Sequence, residues 1–133
     1  MTEPANALRT ALVVYAKDKD RLAAFYRRTL GVLTVAEGTS YVVLRANDVE
    51  LVLHSIPAHI AAQIEITVPP AARQDTPLKP SFLVRSLTAV REHAVAAGGF
   101  VNGPESEWRF GDSVCVDGFD PEGNVVQFRE HVD

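Results

Sequence analysis

Glu50 and His54 are the pair best suited to proton transfer in this chain, a carboxylate and an imidazole within the run Val49-Glu50-Leu51-Val52-Leu53-His54. Read as a strand, that run puts both on one face, because strand side chains alternate with a period of two. General acid–base work is the chemistry such a pair can do. Lys79, Arg85 and Arg129 lie in or beside apolar runs and could hold an oxyanion through charge-assisted hydrogen bonds, or simply reach solvent at a rim. Ser81 and Ser113 have no evident His–Asp partners to activate them, and Cys115, between Val114 and Val116, reads as a small core hydrophobe rather than a nucleophile. His59 reads as a surface residue on a short helix over 58–64, His93 as packing at a helix–sheet boundary, and His131 as solvated near the chain end. No two of the 4 histidines show metal-ligand spacing.

The elements that must position these groups come in two similar sets. Ala11 to Ala16 is a short apolar run suited to a buried strand, Asp18 is a helix N-cap, and Leu22, Phe25, Tyr26 and Leu30 follow at helical spacing before Gly31. A weak strand at 32–35 precedes two more, Tyr41 to Arg45 and Val49 to His54, joined by a tight Asn47-Asp48 turn. The order then recurs. Ser81 to Arg85 is a strand, Ser86 a cap, and Leu87, Val90, Ala94 and Ala97 a helical stripe stopped by Gly98-Gly99. Strands over 113–116 and 124–129 flank the turn Asp120-Pro121-Glu122-Gly123. The offset between the two caps also carries Gly31 onto Gly99.

Five of the 8 prolines fall between positions 57 and 80, marking a connector. The organisation expected is α+β, with a first βαβββ module over about 8–56, a connector over 57–78 and a second module over about 79–131. One helix covers only one sheet face, so the modules must share something. If their uncovered faces curve together, alternate strand residues line a cup. Placing Phe82, Val84, Val126 and Phe128 under the helices sends Tyr15, Glu50, His54, Lys79, Ser81, Arg85, Ser113, Cys115, Gln127 and Arg129 into it, with Val13, Val52, Leu83 and Val125 as apolar wall. Trp108, in the long loop 104–109, is placed to lid a flat ligand by stacking, or else to serve as a dimer contact or a loop anchor.

Composition bounds the partners. A chain of 133 residues with 47% hydrophobic content buries enough surface to fold without cross-links, and a single Cys forms no internal bridge, which fits a reducing cytoplasm. A net charge of −4 without a basic cluster argues against nucleic acid. No apolar stretch reaches the about 18 residues of a membrane helix, and the polar, acidic opening Met1-Thr2-Glu3-Pro4 is unlike a signal peptide. A soluble cytoplasmic protein is expected.

Asp18…Phe25-Tyr26…Leu30-Gly31 resembles the strand–helix signature that opens members of the glyoxalase / bleomycin resistance protein / extradiol dioxygenase superfamily, the vicinal oxygen chelate proteins. Asp120-Pro121-Glu122-Gly123-Asn124 resembles the turn before their last strand. The resemblance implies paired βαβββ modules around a cup that holds a divalent metal, with ligands from the opening and closing strand of each module, and a common tendency to dimerise. Position by position, however, Ala11 and Lys79 stand where such a family carries His, and Gln127 where its metalloenzymes carry Glu; only Glu50 still matches a ligand place. Neither Ala nor a charged ammonium coordinates a metal, and a Gln oxygen is a weak ligand.

The expectation is therefore a homodimeric, metal-free module holding a neutral or anionic organic molecule, since Lys79, Arg85, Arg129 and His54 outweigh Glu50. The alternative is a lyase, isomerase or dioxygenase-like enzyme using Glu50 and His54, with a displaced metal or by metal-free acid–base chemistry.

Overall fold

The computed structural model describes residues 9–132; the polar opening at positions 1–4, and position 8 where the first module was expected to begin, lie outside them. Strand β1 (Thr10–Ala16) leads into α1 (Lys19–Leu30), and β2 (Leu33–Glu37), β3 (Tyr41–Ala46) and β4 (Val49–Ser55) complete the first set. A short helix α2 (Ala58–Ala61) stands in the connector. Strand β5 (Ser81–Val84), α3 (Leu87–Ala96), β6 (Phe100–Val101), β7 (Trp108–Phe110), β8 (Ser113–Phe119) and β9 (Val125–His131) follow.

Local chemistry explains the helix boundaries. The Asp18 carboxylate accepts from the Arg21 N–H and the Ser86 hydroxyl from the Ala89 N–H, each satisfying an orphan donor of a first turn. Gly31 ends α1 in the left-handed region at φ 68°. After α3 the expected Gly98-Gly99 stop holds, with Gly98 at φ 88° as the left-handed residue; the offset had paired Gly31 with Gly99, but α3 is two residues shorter than α1 and its stop comes one place earlier. Helix α2 ends at Ala61, short of the expected 64, and none of its residues is buried to extend it.

The sheets are mixed. The first runs β2-β3-β4-β1 and the second β6-β8-β9-β5, with β7 also on β8; β1 joins β4 and β5 joins β9 in parallel, and the other pairings are antiparallel. Each helix covers one face of its sheet. Leu51, Leu53, Val42 and Leu44 meet α1 on one side, Val116, Val126 and Phe128 lie under the helices on the other, and all belong to one continuous core. Parity follows: Leu12 and Val14 point to that core while Val13 and Tyr15 are exposed on the opposite face.

The two modules are fastened by the β8–β9 turn. Asp120 is fully buried and accepts from the Tyr26 hydroxyl at 2.7 Å, from both the backbone and side-chain N–H of Asn124, and from the Glu122 N–H. Glu122 reaches into the first module, where its two oxygens accept from the Lys17 and Asp18 N–H groups at 2.8 and 2.7 Å. Burial pushes the Tyr26 phenol well above its ordinary value, and the Asp120 charge beside it pushes the same way. Burial also raises Asp120, against the pull of its hydrogen-bond donors. Gly123 lets the connector pass close by: it sits at φ +85°, and a Cβ there would stand 2.1 Å from the Ala71 carbonyl oxygen.

Two expectations are corrected. Trp108 is not in a loop but opens β7, because Trp108-Arg109-Phe110 pairs with Cys115-Val114-Ser113 across a Gly111 turn. His93 does not pack at a helix–sheet boundary; it is exposed where its counterpart Phe25 is buried, and the neighbouring Ala94, counterpart of Tyr26, is the residue that α3 buries there.

Candidate functional site

The faces turned away from the helices form two walls. On the first, register stacks Tyr15, His54 and Tyr41 in one row, Val13, Val52 and Val43 in the next, and Ala11, Glu50 and Arg45 in the third. The wall is largely apolar and wet: Tyr15 is 63% exposed and Val13 48%. Its polar groups are tied down at the ends. Arg45 grips one Glu50 oxygen through Nε at 3.1 Å and Nη2 at 2.7 Å. His54 Nδ1 lies 2.9 Å from the Ser55 carbonyl and its ring tilts against Tyr15 at 5.8 Å. At the ordinary rise of a strand the Cα atoms of Glu50 and His54 are about 13 Å apart.

The second wall is polar. One row is Ser81, Gln127 and Asp117, with the Ser81 hydroxyl donating to Gln127 Oε1 at 2.5 Å; the next is Leu83, Arg129, Cys115 and Trp108. Lys79 reaches across to pair with Asp117 Oδ2 at 3.1 Å, and its ammonium lies 5.5 Å from the centre of the Trp108 ring. Two atoms of this wall are buried with no hydrogen-bond partner, Asp117 Oδ1 and Arg129 Nε. Burying an unmatched polar atom costs about 1–3 kcal/mol, so such atoms mark where an outside group would be welcome. Cys115 and Ser113 are on this face but buried, at 1% and 3% exposure.

The predicted residues thus divide. Tyr15, Glu50 and His54 lie on the first wall; Lys79, Ser81, Gln127, Arg129, Cys115, Ser113 and Trp108 gather on the second. Arg85, one residue past β5, stands apart in a hollow at the foot of α3 with Arg28 and His93. Asp117 was missed because the expected strand stopped at Val116; carried one residue further, the parity of Ser113 and Cys115 would have found it. Arg45 was missed because it was read only as a strand end.

The metal that the resemblance implies does not fit these residues. Ala11 offers no donor, the one Glu50 oxygen engaged is held by a guanidinium, Gln127 Oε1 already accepts from Ser81, and Lys79 brings a positive charge. Among the described residues no group of three or more His, Cys, Asp or Glu comes within metal-holding reach. No helix among them is long and apolar enough to cross a membrane.

Comparison with known proteins agrees with this architecture. A family model described as a glyoxalase-like domain matches residues 11–128. A glyoxalase/bleomycin resistance protein/dioxygenase family enzyme from Burkholderia phytofirmans PsJN superposes with a TM-score of 0.68 at 17% identity, over 95% of this chain and 100% of that one. TnmS3, an antibiotic binding protein from Streptomyces sp. CB03234, gives 0.63 at 19% identity over 97% and 99%. Lactoylglutathione lyase from Agrobacterium tumefaciens gives 0.58 at 21% identity over 96% of each chain. These likenesses speak for the fold. No protein of curated function matches the chain.

Proposed function

Since the chain belongs to the glyoxalase-like domain family, we propose that it binds a small organic molecule between the two walls without a metal, the ligand being neutral or anionic and carrying oxygen. The observation that carries this reading is Arg129 Nε, buried and unmatched on a face that also offers Ser81, Gln127 and Lys79, with Asp117 Oδ1, likewise unmatched, asking for a donor that a protonated or amide-bearing ligand group supplies. A carboxylate or carbonyl oxygen that meets the partly exposed guanidinium would supply the missing acceptor once the side chain turns toward it. The apolar first wall then receives the rest of the molecule, and Trp108 stacks on any flat part. A likeness in fold to an antibiotic binding protein is compatible with sequestration rather than turnover.

The exposure of Val13, Tyr15, Leu83 and Phe110 supports completion of the site by a second copy of the chain, and we place this dimer in the cytoplasm. We rank the enzymatic alternative second because Arg45 engages one Glu50 oxygen.

Trp108, the only tryptophan, is a built-in reporter. Titration of its fluorescence with an aromatic carboxylate, the matching amide and the matching amine, each with and without EDTA, tests the reading. The acid and the amide should bind, the amine should not, and EDTA should change nothing. Preference for the amine, or loss of binding on chelation with recovery on adding Zn, Ni, Mn or Fe, would overturn it.

A further inference from the structure

Helices α1 and α3 begin alike, but the backbone just before them is treated differently. Glu122, from the β8–β9 turn over 120–124, accepts from the Lys17 and Asp18 N–H groups at 2.8 and 2.7 Å. The offset that carries Asp18 onto Ser86 carries Lys17 onto Arg85. The corresponding β3–β4 turn is only Asn47-Asp48, and it brings Asn47 beside Arg85 and Ser86. Among the described residues no side-chain oxygen accepts from the Arg85 or Ser86 N–H. In the place of Glu122 there is a hollow of about 630 Å³, within the range that small-molecule sites occupy. Arg28 enters it from the last turn of α1, Arg85 from just before the cap of α3, and His93 from the α3 stripe that also carries Ser86 and Ala89. No Asp or Glu lines it, and among the described residues the Arg28, Arg85 and His93 side chains have no ion-pair or hydrogen-bond partner. Glu130, at the end of β9, spends an oxygen on the Leu87 N–H at 2.8 Å and is not part of the lining.

We propose that this hollow binds the phosphoryl group of a small soluble phosphomonoester, at the place that Glu122 holds in the other half of the fold. The cations carry the site. In a chain with 17 acidic against 13 basic side chains, two guanidiniums and an imidazole converge with no carboxylate between them, and a concavity lined by one sign of charge concentrates counter-ions. The first turn of α3 also lacks an acid, where the helix dipole favours one and where α1 has Asp20. The head group follows from counting donors. A carboxylate offers about four acceptor places and a single charge, fewer than two guanidinium forks, a ring N–H and two backbone N–H groups can fill. A phosphoryl group brings roughly three strongly accepting oxygens and about two charges, and takes bidentate bonds from both arginines. Arg28, Arg85 and His93 take no part in the site between the walls, so neither reading depends on the other.

Isothermal titration calorimetry with ethyl phosphate and propionate at low ionic strength tests this, with vesicles containing phosphatidate as a third arm. Ethyl phosphate should bind at least about tenfold more tightly than propionate, and Arg28→Gln and Arg85→Gln should each weaken it about tenfold. Ala89→Glu supplies the missing carboxylate from within, because a Glu three places after the cap turns back to the cap N–H, here that of Ser86. That variant should lose ethyl phosphate binding while its melting temperature holds or rises, which separates loss of the site from loss of the fold. Arg129→Met, a change on the second wall, should bind ethyl phosphate as wild type does. No binding of ethyl phosphate, equal affinity for the two anions, wild-type affinity in Ala89→Glu, or loss of binding in Arg129→Met would overturn the proposal. Binding to the vesicles with none to free ethyl phosphate would overturn it as well, by assigning the hollow to a lipid head group.

Discussion

The two walls have the same secondary structure and opposite chemistry. On the first, every charged group is neutralised within the wall or set at its end, and the middle row is Val13, Val52 and Val43. On the second, the middle of the sheet carries Gln127, Arg129 and Asp117, and two of their atoms are buried without partners. A single wall of either kind is an ordinary sheet face. In the proposed site one accepts apolar surface and the other fixes oxygen, which is the division of labour a small-molecule site needs. The difference teaches that duplication has kept the scaffold, caps and parity, and let the outward residues of each copy diverge.

The comparison is broken most severely by uncoupling the modules. Glu122→Ala removes two charge-assisted hydrogen bonds to the Lys17 and Asp18 N–H groups and leaves those donors near a buried turn. A loss of about 3 kcal/mol or more is expected, read by urea denaturation, with both walls lost in a single transition. Two separate transitions would mean that the modules are independent. A smaller effect comes through Asp120. Its folded-state pKa is raised, so the stability linked to its proton is fully present below the unfolded value and is lost as pH rises through the folded one. Wild-type stability relative to Asp120→Asn should therefore shrink as pH rises from acid toward neutrality; a difference that grows with pH would reverse the sign.

Changes on the walls themselves should act on binding and not on folding. Val13→Ser trims apolar area from an exposed position, and the affinity for an aromatic acid should fall about threefold to tenfold while the melting temperature stays put. Smallest of all, Glu50→Gln breaks a pair in which Arg45 is half exposed; stability should move by less than about 0.5 kcal/mol and binding not at all. A large loss of binding in that variant would return Glu50 to the site.

Much of this was legible beforehand, for reasons that are local. Asp18 and Ser86 announce helix starts because a side-chain oxygen satisfies the first-turn N–H groups wherever the rest of the chain goes. Strand parity put Tyr15, Glu50, His54, Gln127 and Arg129 on outward faces because alternation is intrinsic to a strand. What escaped was decided by distant contacts. β6 and β7 exist because β8 offers them an edge, and β7 turned Trp108 from loop residue to strand residue. The roles of Glu122 and Asp120 depend on donors about a hundred positions away. That Arg45 would engage Glu50 follows from their pairing across the β3–β4 hairpin, and that Arg129 Nε would find no partner is visible only once the whole wall is assembled.

The central claim is that Arg129 is kept for a ligand and not for the fold, and Arg129→Met tests it most directly, by thermal unfolding and Trp108 fluorescence titration on the same sample. The substitution fills the side chain out to about the place of Nε with apolar atoms and removes the guanidinium, the buried unmatched Nε included. The account predicts unchanged or raised stability, by up to about 1 kcal/mol, together with a loss of about tenfold to a hundredfold in affinity for an aromatic carboxylate. A destabilised protein that still binds the carboxylate as tightly as wild type would contradict it.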